Sequence, residues 1–226
     1  RIQLAKLYEN TGDLAMAEAL YNASLQFRPT YPYALAGLAK LASSKKEYQK
    51  AIEYYQQAQK GTLDNAITEG LAETYIASGD TKKADELNKE VIKILSKDAE
   101  NANNDENIGH YSDMELAYLH LKTGDTKKAL EHAMIEYNRR PDNNDVNECV
   151  AWIYYNSGDY TNAAMHIKKA MQTKSKNPTL LCRAGLIFAK GTDKGLAKAT
   201  IQQGLSSNAN IDLHLKTESM NILQSL

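Results

Sequence analysis

The chain has 226 residues, 42% apolar and 24% charged, an ordinary balance for a folded globular protein. Its 27 basic and 28 acidic residues leave a net charge of −1, which argues against a general binder of nucleic acid. No run of about 18 apolar residues is present to span a membrane, and Cys149 and Cys182 give neither a disulfide framework nor zinc spacing.

Internal periodicity organises everything else. One column of small residues reads Ala5, Ala39, Ala72, Ala117, Ala151 and Gly185, and a second reads Ala17, Ala51, Ala84, Ala129, Ala163 and Ala197. Successive spacings are 34, 33, 45, 34 and 34 in both columns, and the columns stay 12 residues apart. Small side chains are required where two packed helices cross closely. One residue before the first column stand Leu4, Leu38, Leu71, Leu116, Val150 and Ala184. Three after it come Tyr8, Ala42, Tyr75, His120, Tyr154 and Phe188, so each first helix carries an apolar stripe. Gly12-Asp13, Gly79-Asp80, Gly124-Asp125 and Gly158-Asp159 fall between the columns. The glycine ends one helix in a left-handed conformation and the Asp caps the next. Lys46-Glu47 and the displaced Gly191 predict less regular turns in the second and sixth units.

A 34-residue helix–turn–helix with small residues at its eighth and twentieth positions resembles the tetratricopeptide repeat. Tyr21 and Tyr55 at the twenty-fourth position, and Pro29 and Pro141 at the thirty-second, agree with it. The resemblance implies an all-α fold, a right-handed α–α superhelix (solenoid) of stacked helix–turn–helix repeats. The expected division is 1–31 for repeat one (its first turn missing), 32–64 for repeat two and 65–98 for repeat three. An insert at 99–109 follows, then repeats four, five and six at 110–143, 144–177 and 178–211, and a capping helix at 212–226. Eleven inserted residues could extend the preceding helix by about three turns. The asparagines and Gly109 favour a mostly exposed loop there.

Catalytic, phosphate-binding and dinucleotide motifs are absent, so no enzyme activity and no cofactor are expected. His110, Asp113, Glu115 and His120 cluster locally, but His120 takes a buried helical position and Glu115 points elsewhere. A packed histidine beside first-turn acids is the better account than a metal site. The insert's Asp98, Asn101, Asn103, Asp105 and Glu106 match no calcium-loop spacing. Lys82-Lys83 and Lys127-Lys128 have acidic neighbours and read as a solvated outer face. Cys149 and Cys182 are expected to be buried free thiols. The chain begins at Arg1 with no signal-type segment, which is compatible with a cytoplasmic or an exported protein.

The resemblance further implies a non-enzymatic scaffold whose partner is a protein or peptide segment held in a concave groove lined by the first helices. The family's ligand-facing positions give Tyr33, Ala36, Lys40, Ser43 and Ser44 in repeat two, and Glu69, Glu73 and Ile76 in repeat three. Repeat six gives Thr179, Cys182, Leu186 and Lys190. Repeats four and five carry the aromatic-rich set: Tyr111, Met114, Tyr118, Leu121 and Lys122, then Asp145, Glu148, Trp152, Tyr155 and Asn156. Large rings with a polar edge suit binding hot spots. The competing account is that some of them pack between repeats, Trp152 first. The family's two-carboxylate clamp is missing: Lys6 and Lys40 stand at the ninth position, but the fifth and sixth hold Ile2, Gln3, Ala36 and Gly37. An alternative role is a structural spacer or self-association module of a larger multi-repeat protein, joined through the truncated N-terminal end.

Overall fold

The structure, a computed structural model, describes residues 1–104, 111–191, 193–206 and 210–226, with backbone alone at 103–104. Its helices are α1 (Ile2–Thr11), α2 (Leu14–Phe27), α3 (Pro32–Ser44), α4 (Tyr48–Gln59), α5 (Asn65–Ser78), α6 (Thr81–Asn104) and α7 (Asp113–Lys122). They continue as α8 (Thr126–Arg139), α9 (Asn144–Asn156), α10 (Tyr160–Ala170), α11 (Pro178–Ala189), α12 (Lys194–Leu205) and α13 (Leu213–Ser225). The fold is all-α, built of helix–turn–helix pairs that stack on one another as in a solenoid of paired helices. Contacts divide the chain into two compact units. Unit one is Arg1–Val91 with Ser207–Asn210, and unit two is Ile92–Ser206 with Ile211–Leu226.

The two small-residue columns are the helix crossings. Ala5, Ala17, Ala39, Ala51, Ala117, Ala129, Ala151, Ala163 and Ala197 are each 0% exposed. A side chain larger than methyl there would push the paired axes apart. The glycine turns follow the sequence expectation, with left-handed φ values of 85° at Gly12, 92° at Gly79, and 84° at both Gly124 and Gly158. The Asp that follows each one caps the second helix, accepting from the amides of Met16, Lys83, Lys128 and Asn162. The turn before α4 is irregular, as expected: Lys46 takes a φ of 63°, and Glu47 makes no side-chain cap bond. The turn after Gly191 includes residue 192, outside the described residues. Two of the recurring lysines lie beside these caps, Lys83 at 3.0 Å from Asp80 and Lys128 at 3.8 Å from Asp125, on exposed surface.

Neighbouring pairs interlock through rings set over glycine. In unit one the Tyr21 ring of α2 lies across Gly37 of α3, where an added Cβ would come within 2.3 Å of it. Tyr21 is fully buried, and its hydroxyl donates to Glu9 of α1 at 3.0 Å, tying three helices together. Tyr55 of α4 repeats the arrangement over Gly70 of α5.

The insert departs from the expected exposed loop, because α6 runs on through Asn104. Val91, Leu95, Ala99 and Ala102 are all buried and continue one apolar stripe at helical spacing. That burial outweighs the weak helix propensity of asparagine. The rest of the insert, 105–109, lies outside the described residues, as does His110. In unit two, α13 packs against α11 and α12, with Leu215 4% exposed and Ile222 against the same cluster. Asp212 caps it by accepting from the Leu215 amide at 2.8 Å.

Candidate functional site

Within unit two, α7, α9 and α11 are the first helices of successive pairs, and each packs on the next. Their shared wall converges on Arg183 of α11. One guanidinium nitrogen donates to Glu148 Oε1 of α9 at 2.8 Å and to the Tyr118 hydroxyl of α7 at 3.1 Å. The same guanidinium lies 5.1 Å from the Tyr118 ring centroid and 5.2 Å from that of Trp152. Three residues expected in the groove, Tyr118, Glu148 and Trp152, are thus brought together by one that the sequence reading did not single out. A signal for it was present: Arg183 is the one charged residue in the helix PTLLCRAGLIFA. Side chains of Arg183 and Glu148 are only 18% and 13% exposed. Burial pushes the Glu148 carboxyl above its ordinary value, with Arg183 pulling the other way. Arg183 Nε is buried without a hydrogen-bond partner among the described residues.

The remaining expected residues divide between core and rim. Met114 and Leu121 are half-buried and pack with Tyr118 on the cluster of Ala117, Ala129, Cys149, Val150 and Ile153. Tyr111 stacks beneath Arg139 of α8, whose guanidinium carbon is 4.0 Å from the ring centroid. Asn156 and Lys122 are exposed, and the Asn156 amide donates back to the Trp152 carbonyl at 2.7 Å. Trp152 is half-buried and stacks on Tyr155 at 5.1 Å. Tyr155 itself is 8% exposed, and its hydroxyl donates to Glu218 of α13 at 2.8 Å. On α11, Cys182 and Leu186 are fully buried in the cluster that α13 completes with Leu215.

Burial pushes the Cys149 thiol up to about 12, which keeps it protonated and poorly nucleophilic. Both cysteines are buried and free. Asp113, also buried, accepts from Arg139 and contacts His132 Nδ1 at 2.8 Å, while His120 stacks on His132 with ring planes 3° apart. Glu136 joins the same network through Arg139 and Arg140. Among the described residues, no group of three or more His, Cys, Asp or Glu could hold a metal ion. Among them, too, no helix is long and apolar enough to cross a membrane.

Comparison with known proteins agrees with this architecture. Residues 2–66 match the family model described as tetratricopeptide repeat. A tetratricopeptide repeat protein from Parabacteroides merdae superposes with a TM-score of 0.62 at 17% identity, covering 99% of this chain and 82% of that one. A chain of the APC/C hetero-tetramer Cut9–Hcn1 gives 0.59 at 13% identity, covering 96% of this chain and 41% of that one, so this chain spans well under half of its length. A thermophilic tetratricopeptide protein of Thermus thermophilus gives 0.55 at 16%, covering 85% and 99%. A search of the curated proteins finds no match. At these identities the likeness defines the fold: an all-α solenoid of tetratricopeptide type.

Proposed function

We propose that this chain is a non-enzymatic protein-interaction module that holds a peptide segment of a partner against the wall formed by α7, α9 and α11. The observation that carries the proposal is the Arg183 bridge, which fixes Tyr118 of α7, Glu148 of α9 and Trp152 before any ligand arrives. Rings held in one orientation lose little entropy on binding and offer apolar area with polar edges. Lys122 and Asn156 border them as exposed polar groups that set register. The fold supports the proposal at the level of class, since a chain of similar fold sits in a hetero-tetramer.

The test is selection of peptides from a random display library on the native chain, followed by titration calorimetry. Trp152→Ala, with unchanged circular dichroism, is expected to weaken a selected peptide by about 1–3 kcal/mol, as hot-spot truncations do. Equal affinity in the folded variant would remove this wall as the site. A second reading, self-association, is favoured by Leu4 and Leu7 of α1, which are 45% and 56% exposed. Sedimentation mass that rises with concentration in the native chain and not in Leu4→Glu/Leu7→Glu would support it.

A further inference from the structure

Unit one contains a concavity of about 510 Å³ between α1, the end of α2 and the start of α3. Three cations line it, Arg1, Lys6 and Arg28, beside three rings, Phe27, Tyr31 and Tyr33, and its lining includes no Asp or Glu. Arg1 lies 4.3 Å from the Phe27 centroid and Arg28 4.5 Å from that of Tyr31. Tyr31 and Tyr33 meet edge to face at 5.6 Å. The rings orient the guanidinium groups without neutralising them, because a π face offers a quadrupole and no counter-charge. None of the three cations forms an ion pair with a described residue. On a chain of net charge −1, that is a local positive field focused in one concavity. Its sign is reinforced by α3, whose N-cap Tyr31 lies on this wall and whose first turn no side chain caps.

We propose that this concavity binds an acidic peptide segment of a partner protein. A glutamate or aspartate of the ligand pairs with Lys6 and Arg28, and an adjacent apolar side chain lies on Tyr31, Tyr33 and Phe27. The volume falls within the usual range of ligand sites, roughly 300–1,000 Å³. A peptide fits better than a polyphosphate or a lipid headgroup because three of the nine lining residues are aromatic: Phe27 is 71% and Tyr33 39% exposed, apolar area that a phosphate leaves unused. Every residue involved belongs to unit one, so the site stands or falls independently of the α7–α9–α11 wall.

The experiment is fluorescence anisotropy on the 226-residue chain. The probe is a fluorescein-labelled peptide of alternating glutamate and phenylalanine, acetylated and amidated so that its termini carry no charge. Saturable binding is expected, weakening as salt is raised, with no binding of the lysine-for-glutamate version. Lys6→Glu/Arg28→Glu should lower the affinity at least about tenfold, since like charges now face each other. Tyr33→Ala should weaken binding while preserving its salt dependence, and Trp152→Ala should leave it unchanged. All the substituted cations are exposed, and matching circular dichroism confirms that the variants are folded. No binding to the native chain, or equal binding to the double variant, overturns the proposal. So does tighter binding of phosphatidylserine vesicles or a single-stranded oligonucleotide that depends on the same two cations.

Discussion

Arg183 and Glu148 form a 2.8 Å ion pair between α11 and α9, with both side chains more than four-fifths buried. Removing one partner of such a pair strands the other charge in a poorly solvated place. Arg183→Leu should therefore cost about 3–5 kcal/mol of stability in urea unfolding. Arg183→Leu/Glu148→Leu should recover most of that loss, because replacing both charges removes the desolvation cost as well. A double variant no more stable than the single one would contradict this account of the pair.

The Tyr21 ring predicts a sharp steric limit at Gly37. With an added Cβ only 2.3 Å from the ring, Gly37→Ala should destabilise unit one by about 1–3 kcal/mol, even though alanine is the better helix former. A stabilised Gly37→Ala would mean that Tyr21 can leave its place at little cost.

His166 gives stability a pH dependence with a defined sign. The Asn147 amide nitrogen donates to the carbonyls of Pro141 and Asn143, so its oxygen faces His166 Nδ1, at 3.0 Å. Nδ1 is therefore the protonated nitrogen of a neutral ring. Burial, and then Lys169, hold the His166 pKa below the ordinary 6.5. Above 6.5 both the folded and unfolded chains carry a neutral ring and nothing is lost. As pH falls below it, the unfolded chain takes up a proton that the folded one resists, and stability drops until the folded pKa is passed. Melting temperatures measured between about pH 5 and 7 should fall less steeply for His166→Gln than for the native chain. Parallel slopes would exclude His166 as a contributor.

Much of this fold was legible because it is written in backbone constraints. Helix crossings need small residues, turns need a left-handed glycine, and caps need Asp, so Ala151, Gly158 and Asp159 announce themselves by spacing alone. The length of α6 was obscured because asparagines carry a loop signal locally, while the apolar stripe through Ala99 and Ala102 wins by burial. The wall was legible in part. Tyr118 and Trp152 stand where the tetratricopeptide resemblance leads one to expect a groove, but Arg183 meets them only when α7, α9 and α11 are side by side. The burial of Tyr155 was not legible for a similar reason: its partner Glu218 is 63 residues away, on a helix whose docking no local pattern encodes.

That contact carries its own prediction. Tyr155→Phe keeps the ring and deletes the hydrogen bond to Glu218, and should cost about 1.5–3 kcal/mol, the range for a bond to a charged group. Amide exchange should accelerate in α13 ahead of α7 and α9. Uniform acceleration through unit two would show that α13 is not selectively held by this bond.

The chain contains a single tryptophan, Trp152, stacked on Tyr155 and lying beside Arg183 in the proposed binding wall. Its emission therefore reports on that wall alone. The most direct measurement is a fluorescence titration of the native chain with a peptide selected from the display library, run alongside calorimetry. A saturable shift in Trp152 emission with the calorimetric midpoint is the result expected if the peptide lies on α7, α9 and α11. Calorimetric binding with unchanged Trp152 emission would contradict that placement.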